Sequence, residues 1–249
     1  MKIENKIIVI TGASSGIGKE LLKKLPKNNT IIAASRNIEK IPGDTNIIKI
    51  KCDISKKEDI DNLIEQIYKR FNKIDIFFSN AGFAYYEKFK NKSYEDIEYI
   101  FKTNVFSNFY ILEEIIKRNK ENQFNFVITA SAMSFNALPG YALYSATKYS
   151  LKGFFDAFKY ELIKGQNINM VYPIATLTEF FNTAGTKNIP WPRQSAEKVA
   201  EKIIRGIMKN KKEIFPSNLF KVMLFINKFF PVFYIYNKIE AKKFKRLGE

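Results

Sequence analysis

The sequence predicts an α/β protein: a doubly wound, seven-stranded and mostly parallel sheet flanked by helices on both faces. Three observations predict it. Short apolar, β-branched runs alternate with longer amphipathic stretches along the chain. The runs are almost continuously apolar, as strands buried on both faces are. A glycine-rich turn joins the first run directly to the first helical pattern.

The elements follow in order. KIIVIT (6–11) is the first strand, and GKELLKKL (18–25) the first helix. NTIIAAS (29–35) and NIIKIKC (46–52) supply strands two and three, and KEDIDNLIEQIYKRF (57–71) has the apolar spacing of an amphipathic helix. KIDIFFS (73–79) is strand four, followed by one long helical pattern over 93–119. FNFVITA (124–130) is strand five, YSLKGFFDAFKYELIK (149–164) a helix, and INMVYP (168–173) strand six. The polar, small-residue stretch over 176–192 reads as a loop, either a lid or a passive connection. A helix capped by Ser195 covers 195–210, and EIFP (213–216) is the seventh strand. Right-handed crossovers between parallel strands put ligands at the strands' carboxyl ends, so the residues after each strand are the candidates for function.

With 249 residues, 46% apolar and 15% aromatic, the chain can bury one large core. There is no histidine, and Cys52 is the sole cysteine. That excludes Ser-His-Asp and Cys-His catalysis, zinc sites of His and Cys, and an internal disulfide, and no metal is expected. Acid/base chemistry must use a carboxylate, lysine or tyrosine. The formal charge of +16 comes almost wholly from lysines spread along the chain, without a nucleic-acid motif, so nucleic-acid binding is disfavoured. The amino terminus is too short and charged for a signal peptide, and lysines, asparagines and a proline interrupt the most apolar stretch, 219–239. A cytoplasmic protein is expected, with membrane association left open.

TGASSGIGKE follows the first strand. Gly12, Gly16 and Gly18 allow a tight turn, a close approach of backbone to pyrophosphate, and packing of the helix on the sheet. The spacing departs from a P-loop, since five residues separate Gly12 from Gly18 and Glu20 stands where a magnesium-binding hydroxyl belongs. Here the chain resembles the short-chain dehydrogenase/reductase family, whose nucleotide loop matches Thr11 to Gly18, including Ser14, Ser15 and Ile17. The resemblance implies a Rossmann-type fold and continues in order over about residues 5–216. Asp53 and Ile54 in CDIS correspond to the family's adenine contact, and Asn80-Ala81-Gly82 to its Asn-Ala-Gly motif bordering the cofactor. Asn104 in KTNVF corresponds to the helix asparagine of a water-linked proton relay, and Ser131, Tyr144 and Lys148 complete the set. One departure follows strand six: after Pro173 the family commonly has glycine, whereas this chain has Ile174, with Thr178 in the place of the threonine that touches the nicotinamide. The missing glycine removes easy access to positive φ and leaves the loop's course open.

Two chemical choices follow. Strand two closes on Ser35 and Arg36 instead of the acidic residue that would bind the ribose 2′-hydroxyl of NAD, which favours NADP(H). Four tyrosines have a lysine four positions later: Tyr86/Lys90, Tyr144/Lys148, Tyr160/Lys164 and Tyr234/Lys238. Only Tyr144/Lys148 lies 13 residues beyond a serine that ends a strand, Ser131. There an ammonium one helical turn away is expected to lower the phenol's pKa, and Ser131 to orient the substrate oxygen. The resemblance adds that Lys148 holds the nicotinamide ribose. Tyr141 is expected to line the substrate pocket.

Residues 1–216 thus form the expected NADP-binding catalytic domain, and 217–249 a basic, aromatic-rich helical extension packed on or near the substrate pocket. Three readings of that extension stay open: an interfacial helix on anionic lipid, a cover over the pocket, or a subunit interface. The expected activity is interconversion of a carbonyl and an alcohol on a small hydrophobic, lipid-like substrate. The alternatives are an NADP-binding regulatory or scaffold protein, or a peripheral membrane protein. The resemblance implies a homodimer or homotetramer.

Overall fold

A computed structural model describes residues 2–120 and 122–246. The β-branched runs become strands β1 (Ile7–Thr11), β2 (Thr30–Ser35), β3 (Ile47–Lys51), β4 (Ile76–Ser79), β5 (Phe124–Thr129) and β6 (Gln166–Val171). Two three-residue strands, β7 (Ala175–Leu177) and β8 (Arg193–Ser195), and a two-residue strand, β9 (Glu213–Ile214), complete the set among the described residues. The main sheet runs β3-β2-β1-β4-β5-β6-β9, and all its pairings are parallel. The order reverses between β1 and β4, which opens a crevice at their carboxyl ends.

The helices are α1 (Gly16–Lys24), α2 (Lys57–Phe71), α3 (Tyr94–Phe101), α4 (Ser107–Asn119), α5 (Ala142–Phe158), α6 (Phe180–Thr183), α7 (Ala196–Met208), α8 (Asn218–Ile226) and α9 (Val232–Lys245). Strand residues alternate between two cores. Val9, Phe77 and Phe126 pack with Ile64 of α2, Leu112 of α4 and Phe155 of α5. Ile8, Ile10 and Phe78 pack on the other face with Leu21 of α1 and Ile203 of α7. Burying both faces of the sheet is what the continuous apolar runs require.

Three elements differ from their sequence expectation. The long helix over 93–119 contains a π-helical turn, Lys102–Phe106. There Ser107 Oγ donates to Thr103 O and Asn108 Nδ2 to Asn104 O, so side chains occupy carbonyls in the irregular turn. Helix α5 starts at Ala142 and ends at Phe158, earlier than 149–164 at both ends. Tyr144 and Lys148 therefore sit in its first two turns, and Tyr160 and Lys164 lie outside it. The stretch over 176–192 is partly ordered by the β7–β8 pair with short α6 between them.

Helices α8 and α9 fold back onto the body. The side chains of Asn237 and Asn136 exchange hydrogen bonds of 2.9 and 3.1 Å, and Tyr236 Oη donates to Trp191 O at 2.6 Å. Residues 247–249 of the expected extension lie outside the described residues.

Candidate active site

The carboxyl ends of β1, β2, β4, β5 and β6 open into one cleft. At its floor the glycine turn is held against the Asn-Ala-Gly segment. A Cβ on Gly12, whose φ is +66°, would lie 2.9 Å from Ala81 Cα, and one on Gly18 would lie 2.3 Å from Gly12 O. No larger residue fits either position without moving backbone. Asn80 Nδ2 donates to Thr11 O at 3.2 Å, while Thr11 Oγ1 accepts from the amides of Asn80 and Ala81. The Ser15 side chain makes no capping bond at the start of α1, and this helix end lines the cleft, where it could hold a cofactor phosphate.

Ser14, Ser15, Gly16 and Ile17 line the cleft, as do Asp53, Ile54, Pro173 and Thr178. Ser35 Oγ donates to Ser14 Oγ at 2.8 Å, tying the end of β2 to the glycine turn. Arg36 Nη1 donates to Tyr99 Oη at 2.8 Å, so a tyrosine from α3 fixes a cation beside the loop. Asp53 Oδ1 accepts from the amide and hydroxyl of Ser55. Ile174 is not among the described residues with positive φ, so the chain passes this point without the freedom of a glycine. Thr178 Cγ2 lies 3.1 Å from where a Cβ of Gly16 would be, which puts this threonine against the glycine loop.

At the other end of the cleft Ser131, Tyr144 and Lys148 are all buried. Ser131 Oγ accepts from the Met133 amide at 3.1 Å and lies near enough to Tyr144 to influence its phenol. Lys148 Nζ donates to Thr129 O at 2.9 Å and stands 5.4 Å from the Tyr144 ring centroid. Burial pushes the Tyr144 phenol up to about 12, an effect that the neighbouring Ser131 hydroxyl partly opposes. Burial also pushes Lys148 down to about 7. Burial is the dominant influence on both groups.

Asn104 joins two segments beside the site. Its Nδ2 donates to Phe83 O and Thr147 Oγ1, and its Oδ1 accepts from the Phe83 amide. The side chain staples the segment after β4 to α5, and its Oδ1 and Lys148 Nζ lie 3.1 and 3.8 Å from where a Cβ of Gly82 would be. Tyr141 does not line the cleft; it is 1% exposed beneath Tyr86 and Tyr144. Of the other tyrosine-lysine pairs, Tyr160 and Tyr234 are exposed, and Tyr86 packs on Tyr141 away from Ser131. Residues that the sequence did not single out include Tyr99 at Arg36, Thr147 at Asn104, and Phe180, whose ring lies 5.4 Å from that of Tyr144. Each owes its place to tertiary contact, and none carries a local spacing signal.

A parallel sheet with a glycine cradle and a Ser-Tyr-Lys group at its carboxyl edge defines a dinucleotide-binding oxidoreductase. The chain belongs to the short chain dehydrogenase family, whose profile matches residues 6–188. A 3-oxoacyl-[acyl-carrier-protein] reductase of Buchnera aphidicola is 31% identical over 226 residues, 84% of this chain and 92% of that protein. Among solved structures, a short chain dehydrogenase from Burkholderia cenocepacia in complex with NADP superposes with a TM-score of 0.80 at 19% identity, covering 92% of this chain and 95% of the other. A short chain dehydrogenase/reductase from Burkholderia phymatum in complex with NAD also gives 0.80, at 16% identity and with 90% and 92% covered. Family members bind nicotinamide cofactors of either kind and act on carbonyls and alcohols.

Proposed function

We propose that the chain is an NADP(H)-dependent oxidoreductase that interconverts a carbonyl and an alcohol on a hydrophobic, lipid-like substrate. The observation that carries this reading is that buried Ser131, Tyr144 and Lys148 line one end of a cleft whose other end is the glycine cradle. A bound nicotinamide supplies or accepts the hydride. Tyr144, held as a phenol by burial, has the protonation state needed to give its proton to a carbonyl oxygen during reduction. Ser131 orients that oxygen and helps carry its developing charge. Lys148 has an amine free to hydrogen-bond ribose hydroxyls beyond its contact with Thr129 O. We assign Asn104 to positioning, through Phe83 and Thr147.

The two Burkholderia proteins bind different cofactors, so the choice of NADP(H) rests on Arg36 and on the neutral Ser35 where NAD would want a carboxylate. Met133, Leu138 and Phe180 pack around Tyr144, and Met223 and Phe233 also line the cleft, which suits an apolar substrate. In this reading residues 1–216 form the catalytic unit, and of the extension the described residues 217–246 roof its substrate end. Self-association as a dimer or tetramer, as the family resemblance implies, is part of this reading.

The test is consumption of NADPH and of NADH against a panel of aldehydes and ketones of increasing chain length. NADPH-preferring turnover that improves with apolar length supports the reading. Tight cofactor binding without turnover on any member would favour a regulatory nucleotide binder instead.

A further inference from the structure

Helices α8 and α9 carry apolar residues on two opposite faces. Phe220, Met223, Phe233 and Tyr236 turn inward and line the cleft. Outward, Leu219, Val222, Phe225 and Ile226 recur at helical spacing along α8, and Phe225 is 63% exposed. The patch continues through the connecting turn, where Phe229 and Phe230 are 69% and 68% exposed, into Tyr234 and Ile235 at the start of α9. Isolated exposed apolar side chains need no explanation, but a run of adjacent phenylalanines at the tip of a helical hairpin does.

The surrounding charge is of one sign. Lys221, Lys228, Lys238, Lys242, Lys245 and Arg246 are exposed on the same hairpin. Its lone carboxylate over 217–246, Glu240, is 5% exposed and paired with Lys243. A second copy of this chain would bring two such basic faces together, and a polyanion such as nucleic acid would leave the phenylalanines in water. A surface that is apolar inside and negative at its rim satisfies both features. Among the described residues no helix is long and apolar enough to cross a membrane, so the hairpin would lie in the interface and not span it.

We propose that the outer face of the α8–α9 hairpin docks on an anionic lipid bilayer, with Phe225, Phe229 and Phe230 entering the acyl boundary and the lysines contacting headgroups. Because the inner face of the hairpin lines the cleft, and Trp191 at its mouth is 63% exposed, docking sets that mouth beside the lipid. Direct transfer of a lipid-borne carbonyl into the cleft then follows, a consequence that rests on the function proposed above.

The experiment uses the full chain with vesicles of phosphatidylcholine alone, or of phosphatidylcholine and phosphatidylglycerol at three to one, in about 0.15 M salt. Co-sedimentation measures binding, and the emission of Trp191, the single tryptophan, gives a second readout. Wild type is expected to bind the mixed vesicles with a blue shift and the neutral ones far less. The variant F225S/F229S/F230S is expected to lose about tenfold or more in affinity, and K221E/K228E/K238E to lose the preference for phosphatidylglycerol. All six side chains are exposed, so both variants should keep the wild-type melting temperature and nucleotide affinity. Failure of wild type to bind mixed vesicles, or unchanged binding by the phenylalanine variant, overturns the proposal. So does a wild-type dimer that the phenylalanine variant converts to monomer without any vesicle binding, because a second copy then covers this face. Vesicle binding in a chain that binds no nucleotide supports the docking surface and sinks the enzymatic reading alone.

Discussion

Lys148 gives the site a measurable pH signature. Its pKa is about 7 in the folded chain against an ordinary 10.5, and burial is the cause. Below pH 7 both folded and unfolded chains hold the proton, so the cost of burying the ammonium is fully present. Between the two values the unfolded chain binds more protons than the folded one, and stability rises with pH; above 10.5 the cost is gone. Each tenfold change in a proton affinity corresponds to about 1.4 kcal/mol, so the charge destabilises the fold by about 4 kcal/mol at pH 7, and about 2 kcal/mol of that is recovered by about pH 9. Other groups titrate over the same range, so the comparison that isolates Lys148 is urea unfolding of cofactor-free wild type and Lys148→Met from about pH 6.5 to about pH 9. The difference between the two should narrow by about 2 kcal/mol as pH rises, because methionine has no proton to lose. Parallel stability curves would refute the burial argument and restore a fully charged ammonium beside Tyr144.

The cofactor end offers two further predictions. Arg36→Ala should weaken NADPH binding about 10- to 100-fold, the range for losing a charge-assisted contact, while NADH affinity stays put; calorimetric titration with both nucleotides reads this, and equal losses would remove Arg36 from phosphate recognition. Gly18→Ala would place a methyl 2.3 Å from Gly12 O and 2.8 Å from Asn80 Nδ2, and should cost about 1–3 kcal/mol of stability together with nucleotide affinity. Gly153→Ala on α5 meets nothing within 4 Å and should instead stabilise by up to about 1 kcal/mol, so thermal unfolding of the pair separates crowding from helix propensity.

Strands β1 and β4 were legible because burial on both faces demands short runs such as IIVIT and IFFS, whereas β3, at the sheet edge with no buried residue, was legible from its β-branched isoleucines. Strands β7 and β8, three residues each, are too short for any periodicity to register. The start of α5 was hidden by Ser145 and Thr147, polar residues that are nonetheless buried: Thr147 Oγ1 donates to Tyr144 O, which satisfies it locally. For the site, chain order and a family resemblance put Gly12, Asn80 and Ser131 just after strands and grouped them with Tyr144 and Lys148, and all five line one cleft. What they could not convey was the state of those groups. The pKa of Lys148 depends on what covers it, the use of Asn104 on where Phe83 and Thr147 come to lie, and the hold on Arg36 on a tyrosine 63 residues away. These are properties of packing, and local sequence carries no trace of them.

The central claim is that Tyr144 is the proton donor in a nicotinamide-dependent carbonyl reduction. Its most direct test is steady-state NADPH oxidation by wild type and Tyr144→Phe on the best carbonyl substrate, with the NADPH dissociation constant measured for both. Tyr144→Phe should lose about 10²- to 10⁴-fold in kcat, the usual contribution of a positioned acid, while still binding NADPH as wild type does. Equal turnover by the two proteins would contradict the account.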